Sequence, residues 1–336
     1  MTDTACIVGI TGQTGSYLAD QLLAKGYKVY GLKRRSSSFN TDRIDHIHDD
    51  PAVSNNLELT YGDLADSSSL YSWIGDIKPD LCFNMGAQSH VRVSFDIPEY
   101  TMDITGTGVL RLLEAIRKNS PKTKFLTASS SEMFGSTPPP QNELTPFHPR
   151  SPYGVAKVCG YYSTVNYREA YGLHACNAIS FNHESSRRGE TFVTRKITRA
   201  ACRIKLGLQN KLYLGNLDAQ RDWSHASDVA DAMYKIITAP VADDYVVASG
   251  EMHSVKEFAQ VVFDKLGLNY LDYVEFDPVY LRPSEVDALC GDASKIKTQL
   301  GWQPLYTFDT LVDEMINHDM ELARQEKLLK DNPRSI

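Results

Sequence analysis

The stretch VGITGQTGSYLAD, residues 8–20, contains the strongest indication of fold in this chain. Its glycines Gly9, Gly12 and Gly15 stand three positions apart, directly after a β-rich apolar segment and at the start of a segment with helical apolar spacing. Glycine in such a turn lets the backbone approach a pyrophosphate, and the helix N-terminus adds N–H groups and partial positive charge. Glycine spacing alone is a weak signal, but its place between a strand and a helix makes it specific. The stretch therefore predicts a dinucleotide-binding unit, with a tight turn that binds no ligand as the alternative.

Strand-like and helix-like segments alternate over the first half of the chain. Between apolar segments with strand character, helices are predicted near residues 67–77, 101–118 and 152–171. Such alternation implies βαβ units, a parallel sheet and right-handed crossovers. We therefore predict an α/β fold whose residues 1–182 form a Rossmann-like doubly wound parallel sheet that binds the dinucleotide.

The alternation loosens after about residue 182. Further helices are predicted near residues 226–238 and 254–266 and from about residue 308. We expect residues 183–336 to form mainly a smaller, interleaved C-terminal α/β lobe that binds the substrate. Its boundary is soft, because a segment such as YVVASG, residues 245–250, could return to the main sheet.

Composition excludes several classes of protein. Of the 336 residues, 42% are hydrophobic and 23% charged, and the net charge of -7 argues against nucleic-acid binding, which needs a basic surface. No apolar run approaches the ~20 residues that cross a bilayer, and the N-terminus has no signal-peptide pattern, so we expect no membrane association. The six cysteines lie far apart without a C-x-x-C pair. They predict reduced thiols, no metal site and a cytoplasmic location.

The end of the second predicted strand, GLKRRSSSFN at residues 31–40, concerns the choice of cofactor. NAD enzymes usually have an acid here for the ribose 2′-hydroxyl, whereas arginine suits the 2′-phosphate of NADP. Arg34, Arg35 and Ser36 offer charge and a hydroxyl, with no acid among them. They predict NADP, the alternative being a solvated basic turn. After the third strand, Asp63 and Leu64 are expected beside the adenine.

The segment SPYGVAKVCGYY, residues 151–162, places Tyr153 and Lys157 four positions apart near the start of a predicted helix, and hence on one face. A lysine ammonium and the positive nicotinamide of an oxidised cofactor would lower the tyrosine pKa from its ordinary value of about 10. The phenol could then remove a proton from a substrate hydroxyl while hydride leaves the same carbon. Such a pair is common by chance, but its position after the glycine turn indicates catalysis.

The segment KFLTASSSEMFG, residues 124–135, predicts a buried strand that ends in three serines and an acid. Ser130 and Ser131 could hydrogen-bond the reacting hydroxyl and assist Tyr153. Oxidation needs only one such hydroxyl, so Glu132 requires its own explanation. Oxidation of a sugar C4 hydroxyl acidifies the C5 proton, which a carboxylate could remove before it helps the C6 hydroxyl leave as water. Hydride returned to C6 would give a 4-keto-6-deoxy sugar. The alternative for Glu132 is a structural cap at the strand end.

These residues lie in longer motifs through which the chain resembles the extended short-chain dehydrogenase/reductases, and more closely the GDP-mannose 4,6-dehydratase family. The similarity covers nearly the whole chain, and its motifs are GITGQTGSYLADQLLAKGYKVYGLKRRSSSFNT, ASSSEMFG, PFHPRSPYGVAK, FNHESSRRGETFVTRKI, LGNLDAQRDW, LRPSEVDALCGD and LGWQP. Three sites depart from the usual family residues: Ser130 replaces a threonine, NMGAQS replaces Leu-Ala-Ala-Gln-Ser, and Ser186 replaces a proline. None of these removes a chemical group that the reaction needs.

The resemblance implies a role for each matching position. Glu132 would be the base toward C5 and Tyr153 the base toward the C4 hydroxyl. The full catalytic set would be Ser130, Ser131, Glu132, Tyr153 and Lys157. The residues expected to bind NADP are Gly9, Ile10, Thr11, Gly12, Gln13, Thr14, Gly15, Arg34, Arg35, Ser36, Asp63, Leu64, Met85, Gly86, Ala87, Gln88, Ser89, Tyr100, Lys157, His183 and Arg188. Those expected to bind the nucleotide sugar are Asn182, Val193, Lys196, Gly215, Arg221, Arg282 and Glu285.

The resemblance also implies a reaction and an assembly. The substrate would be GDP-mannose, dehydrated to GDP-4-keto-6-deoxy-mannose by internal hydride transfer through tightly bound NADP. The protein would be a homotetramer or homodimer, with the RRSSSFN loop meeting a neighbour's cofactor site in the tetramer. Two alternatives stay open: a nucleotide-sugar epimerase of the same fold, a class that commonly lacks the acid after the serines, and a non-catalytic NADP-binding sensor, a class that tends to lose the Tyr–Lys pair. The sequence does not distinguish GDP-mannose from related GDP-hexoses or heptoses.

Overall fold

A computed structural model describes residues 2–332 of the protein. Its main feature is a sheet of seven parallel strands. In chain order the strands of the protein are β1 (Thr4–Val8), β2 (Lys28–Lys33), β3 (Leu57–Tyr61), β4 (Leu81–Asn84), β5 (Lys124–Ser130), β6 (Ala175–Ser180), β7 (Asn182–Glu184), β8 (Leu212–Leu214), β9 (Gln220–His225), β10 (Asp244–Val247), β11 (Met252–Ser254), β12 (Val274–Phe276) and β13 (Ala288–Leu289). The order across the main sheet is β10-β6-β5-β4-β1-β2-β3. Because β1 pairs with β2 on one side and β4 on the other, the strand order reverses there, and a crevice opens at the C-terminal strand ends.

Helices lie on both faces of this sheet and around a second, smaller core. They are α1 (Gln13–Ala24), α2 (Asp45–Asp49), α3 (Ser67–Ile77), α4 (Val91–Ser94), α5 (Pro98–Met102), α6 (Gly108–Asn119), α7 (Pro152–Tyr171), α8 (Val193–Lys205), α9 (Ala226–Thr238), α10 (Val255–Lys265), α11 (Ser294–Leu300) and α12 (Phe308–Asp331). In one core beside the sheet α1 packs against α9, and in the other α6 packs against both α3 and α7. All six residues of β6 are buried, as expected of a parallel strand covered on both faces. The Rossmann-like doubly wound α/β fold predicted from the sequence is therefore confirmed.

The bounds of α7 follow from local signals in the sequence. Ser151 caps the helix by accepting a hydrogen bond from the N–H of Gly154 at 3.0 Å, and Pro152 occupies the first helical position. The helix ends at Gly172, whose φ of +68° is the left-handed conformation that glycine tolerates. These signals place Tyr153 in the first turn of α7 and Lys157 one turn later.

The helix predicted near residues 101–118 differs from the prediction. It begins earlier, with α5 at Pro98, and residues Asp103–Thr107 form a π-helical turn before α6. Gly106 in this turn lies against α7, where a Cβ would stand 3.2 Å from the carbonyl oxygen of Ala156. The π turn therefore accompanies close packing against α7, which a helical apolar pattern does not reveal.

A second hydrophobic core lies among α8, α10 and α12 and includes Ile197, Phe258 and Met315, all fully buried. Around it, β9 pairs with β7, β11 and β13, and β12 pairs with β8. The long helix α12 packs along α8. This second core faces the crevice at the C-terminal edge of the main sheet.

Strand β10 lies far along the chain but belongs to the main sheet. It pairs in parallel with β6, with Tyr245 opposite Ala178. At its start, the Asp244 carboxylate accepts two hydrogen bonds from Arg168 of α7, at 2.9 and 2.7 Å. The segment YVVASG thus adds the strand at one edge of the sheet.

Among the helices of residues 2–332, none combines the length and the apolar character that a bilayer crossing requires.

Candidate active site

A cavity of about 770 Å³ opens between the main sheet and the second core. It lies at the C-terminal ends of β1, β4 and β5, where the sheet topology predicts a ligand. The sequence-predicted site residues that line it are Gly9, Gly12, Gln13, Thr14, Gly15, Met85, Ala87, Ser89, Ser130, Ser131, Glu132, Tyr153, Lys157, Asn182, His183, Arg188, Val193, Lys196, Gly215, Arg221, Arg282 and Glu285. The fold thus brings the whole predicted catalytic set and the whole predicted substrate set to one cavity.

The glycine turn is a close-packed cradle. Gly9 has a φ of +79°, and a Cβ at Gly15 would stand 2.3 Å from the Gly9 carbonyl oxygen. Gly12 precedes α1, and its lack of a side chain leaves that end of the helix without a side-chain cap. Bare backbone and an open helix N-terminus beside the cavity are the features that a pyrophosphate requires. The turn therefore fits a dinucleotide.

His183 anchors this turn to the chain beyond β6. Its Nδ1 lies 2.9 Å from the carbonyl oxygen of Phe181, which can only accept, so Nδ1 carries the proton. Nε2 then accepts from the hydroxyl of Thr14 at 2.8 Å. Burial, and after it the charge of Arg188, lowers the pKa of His183 to about 4. His183 is therefore a neutral imidazole that fixes the position of the turn.

Tyr153 and Lys157 lie on one face of α7, and both line the cavity. The Lys157 ammonium donates to the carbonyl oxygen of Ala128 on β5 at 2.5 Å and lies 5.6 Å from the centre of the Tyr153 ring. Burial lowers the pKa of Lys157 to about 8. Burial also raises the pKa of Tyr153 to about 12, against a lowering by the hydrogen bond with Ser130. The lowered tyrosine pKa expected from the sequence is thus not found in the protein alone, because burial outweighs the neighbouring groups.

Glu132 follows directly from the end of β5. The chain turns there into a short 3₁₀ helix, and the Ser130 hydroxyl accepts from the Glu132 N–H at 3.2 Å. Met133 and Phe134 behind it are fully buried and hold the turn in the core. Glu132 is only 6% exposed, yet it lines the cavity. Its side chain therefore faces the cleft and is supported by its own strand end.

The two carboxylate oxygens of Glu132 have different surroundings. Oε1 lies 3.6 Å from a guanidinium nitrogen of Arg282. Oε2 is buried and has no hydrogen-bond partner among residues 2–332. A buried acceptor without a partner is costly and is a common feature of sites that bind a ligand. This oxygen is available to a substrate.

Basic residues from the second core converge on the same cavity. Arg282 and Arg221 lie 3.4 and 3.5 Å from the same oxygen of Glu285. The Lys196 ammonium donates to the carbonyl oxygen of Tyr213 at 2.6 Å and lies 3.4 Å from the centre of the Tyr280 ring. Two guanidinium groups and an ammonium in one cleft suit an anionic ligand such as a diphosphate.

Several predicted cofactor residues lie outside the cavity lining. At the end of β2, Arg34 donates to the hydroxyl of Tyr100 at 3.2 Å and Arg35 to that of Tyr61 at 3.3 Å. Ser36 is exposed, with its hydroxyl 3.2 Å from that of Ser38. The other residues of this group are Ile10, Thr11, Asp63, Leu64, Gly86, Gln88 and Tyr100 itself. Of them, Ile10 and Leu64 are buried in the cores.

The sequence prediction missed some residues that line the cavity. His90 directly follows the predicted run that ends at Ser89, and its Nδ1 accepts from the N–H of Val93 at 3.3 Å to cap α4. Its ring lies 5.5 Å from that of Phe192, and burial, followed by the charges of Arg282 and Arg188, lowers its pKa. The only signal in the sequence was a histidine just after a strand end in the crevice.

Comparison with known proteins identifies the family. A family model described as GDP-mannose 4,6 dehydratase matches residues 6–315. GDP-mannose 4,6 dehydratase 1 of Arabidopsis thaliana is 59% identical over 333 residues, which cover 97% of this chain and 92% of that protein. GDP-mannose 4,6 dehydratase of Homo sapiens is 49% identical over 346 residues, covering 96% and 92%. Among solved structures, dTDP-glucose 4,6-dehydratase from Bacillus anthracis in complex with NAD has a TM-score of 0.82 at 22% identity, covering 98% of each chain; this likeness concerns the fold alone. The chain belongs to the GDP-mannose 4,6-dehydratase family.

Proposed function

We propose that this protein is a GDP-mannose 4,6-dehydratase, which converts GDP-mannose into GDP-4-keto-6-deoxy-mannose with loss of water. The observation that carries the proposal is the meeting of Glu132, Tyr153 and Lys157 in one cavity, with one Glu132 oxygen free of protein partners. A carboxylate and a phenol in one cleft can remove two different protons from the same sugar ring. Family membership supports the same assignment.

Tyr153 and Glu132 act one after the other on the sugar. The phenol of Tyr153, whose pKa the Ser130 hydroxyl lowers against the effect of burial, takes the proton of the C4 hydroxyl. The Glu132 carboxylate then takes the C5 proton, which the new C4 ketone has acidified, and passes it to the C6 hydroxyl as it leaves as water. The proton held by Tyr153 is finally given to C5, which completes the 4-keto-6-deoxy sugar and restores the phenolate. When bound, the nicotinamide cofactor supplies the hydride chemistry, accepting from C4 and donating to C6. Lys157, anchored on the Ala128 carbonyl oxygen, places its positive charge beside the phenol.

We propose NADP as the cofactor, held by the glycine turn, His183 and Arg188. The turn supports a dinucleotide because Gly15 packs so closely on Gly9 that a Cβ would stand 2.3 Å from the Gly9 carbonyl oxygen, which leaves bare backbone along the cavity. Arg34 and Arg35 directly follow β2 with no acid beside them, which supports binding of a 2′-phosphate. Titration calorimetry with NADP⁺ and NAD⁺ tests the choice: we expect tighter binding of NADP⁺, and a preference for NAD⁺ would contradict it.

The opposite end of the cavity is proposed for the GDP moiety. Arg221, Arg282 and Lys196 would bind the diphosphate, and Glu285 would accept hydrogen bonds from sugar or base hydroxyl and N–H groups. Residues 183–336 would thus contribute most of the nucleotide-sugar site. Asn182, Val193 and Gly215 line the same cavity.

Incubation of the purified protein with GDP-mannose tests the reaction. Mass spectrometry should show loss of one water from the sugar nucleotide without consumption of added NADPH, because hydride is returned within each turnover. Formation of an epimerised sugar of unchanged mass would instead identify a nucleotide-sugar epimerase. A protein that binds NADP⁺ but converts none of a panel of GDP-hexoses would be a sensor.

We further propose a homotetramer or homodimer that works in the cytoplasm. All six cysteines are free thiols, as expected in a reducing compartment. The RRSSSFN loop at residues 34–40, in which Phe39 is fully exposed, would contact a neighbouring subunit in the tetramer. Light scattering coupled to gel filtration measures the assembly, and a monomeric mass would contradict it.

A further inference from the structure

The residues Asn182–Phe192, called the Arg188 segment below, connect the two walls of the cavity. On the side of the main sheet, the Gln13 side chain donates to the carbonyl oxygen of His183 at 2.9 Å and accepts from the Ser185 hydroxyl at 2.8 Å. Within the segment, Glu184 and Arg188 form an ion pair at 3.0 Å. The glycine turn therefore holds the first half of the segment, and its second half depends on other contacts.

Glu314 of α12 holds the middle of the segment. One of its oxygens accepts from the backbone N–H of Ser186 at 3.0 Å. The other accepts from Nε2 of His225 at 2.7 Å. His225 is 1% exposed, its Nδ1 accepts from the N–H of Ser227 at 3.1 Å, and its ring stacks on Tyr306 at 3.8 Å. Both oxygens of this carboxylate are thus occupied, and its position on α12 is fixed.

The same helix holds the carbonyl side of the segment through Arg195. A terminal nitrogen of Arg195 donates to the carbonyl oxygens of Ser186 and, at 2.9 Å, Arg188. Its Nε donates at 2.7 Å to Asp319 of α12, which also accepts from Thr198 at 2.5 Å. Arg195 and Asp319 are 4% and 1% exposed. The N–H and the C=O of Ser186 are therefore both tied to the last helix, about 130 residues away in sequence.

We propose that Glu314 and Asp319 are positioning residues of the active site, through which α12 sets the place of the Arg188 segment and hence the affinity for the dinucleotide. The inference rests on the proposed function, in which His183 and Arg188 contact the cofactor. Neither acid lines the cavity, so each acts through Ser186 or Arg195. Loss of a hydrogen bond to a charged group weakens binding by about tenfold to a hundredfold when the freed segment must be ordered by the ligand.

The test measures NADP⁺ affinity of the full-length protein by titration calorimetry, with the unfolding temperature as a check on folding. Glu314→Ala should raise the NADP⁺ Kd by about tenfold or more, and Glu314→Gln, which keeps an acceptor, should restore much of the loss. Ser186→Pro removes the N–H donor together with the hydroxyl and should weaken binding in the same way, whereas Ser186→Ala removes the hydroxyl, keeps the N–H and should weaken binding far less. Glu321→Gln, on the exposed side of α12, is the matched control.

Each result has one meaning. A wild-type protein that binds no NADP⁺ would contradict the proposed function itself. A wild-type protein that binds NADP⁺, with Glu314→Ala and Ser186→Pro inside twofold of its Kd, would refute the positioning role alone, even if the unfolding temperature fell. Equal weakening by Ser186→Ala and Ser186→Pro would also refute it, since the hydroxyl rather than the N–H would then matter.

Discussion

Replacing Glu132 with glutamine removes one charge from the active site and keeps the shape of the side chain. The change should leave the fold intact. The contact with Arg282 is 3.6 Å long, and Arg282 keeps a second partner in Glu285 at 3.4 Å. A pair at this distance is weak, and neutralising a carboxylate that is 6% exposed also removes the cost of burying its charge, so the unfolding temperature should change by no more than about 4 °C.

The effect on catalysis should be far larger. Glu132 lies in the cleft with a free oxygen, and an amide at that place can neither take the C5 proton nor return one to the departing hydroxyl. Loss of a general acid–base group typically costs about 10²–10⁴-fold in rate, equivalent to about 2.7–5.4 kcal/mol of transition-state stabilisation at 1.36 kcal/mol per tenfold. Binding of GDP and NADP⁺ should change little, because neither depends on this carboxylate.

The assay is turnover of GDP-mannose in D₂O. Wild-type product should carry solvent deuterium at C5, because the proton removed there is exchanged and replaced. The glutamine variant should form product about 10²–10⁴-fold more slowly, with calorimetric affinities for GDP and NADP⁺ close to wild type. Turnover within tenfold of wild type, with the same deuterium content, would show that another group is the base and would refute the reasoning.

Three other predictions concern the glycine turn, Lys157 and Ser130. Gly15→Ala would place a Cβ 2.3 Å from the carbonyl oxygen of Gly9 and should abolish NADP⁺ binding. Gly75→Ala in α3 is the control, because its Cβ meets only a side chain, at 3.6 Å. It should raise the unfolding free energy measured in urea by about 0.5–1 kcal/mol. Burial lowers the pKa of Lys157 to about 8, so the unfolded chain binds more protons between that pH and the ordinary lysine value of about 10.4. Lys157→Met should therefore stabilise the protein most below pH 8, and this gain should shrink as pH rises toward 10; a gain independent of pH would contradict the burial. Ser130→Ala removes the hydroxyl that hydrogen-bonds Tyr153 and lowers its pKa, and should reduce kcat by about tenfold; Ser130→Thr should restore it, and equal rates for all three would exclude the role.

The sequence predicts those parts of the fold that depend on residues close together in the chain. The glycine turn needs only a strand before it and a helix after it, and α7 is delimited by a Ser151 cap, Pro152 and Gly172 within one segment. The π turn at Asp103–Thr107 has no such signal, because its apolar spacing continues that of the helix on either side. Its form depends on packing against a helix some fifty residues later.

The same distinction applies to the site. Glu132, Tyr153 and Lys157 lie near recognisable strand and helix ends, so their convergence follows from the topology of a parallel sheet. The approach of Arg282 to Glu132 joins residues 150 positions apart, and burial of Tyr153 depends on everything packed around it. Both are tertiary effects, which composition and spacing cannot supply.

The late position of β10 has a consequence for how the chain folds as it is made. β6 can pair with β10 only after synthesis has reached Val247. Until then β6 is an unpaired edge strand of the nascent sheet and can pair with another chain. Contacts this distant in sequence also slow folding. A fragment that ends near residue 182 would lack β10, so the edge of β6 would stay unpaired and Arg168 would lose its partner Asp244. We therefore expect this fragment to aggregate rather than to fold as an independent nucleotide-binding domain.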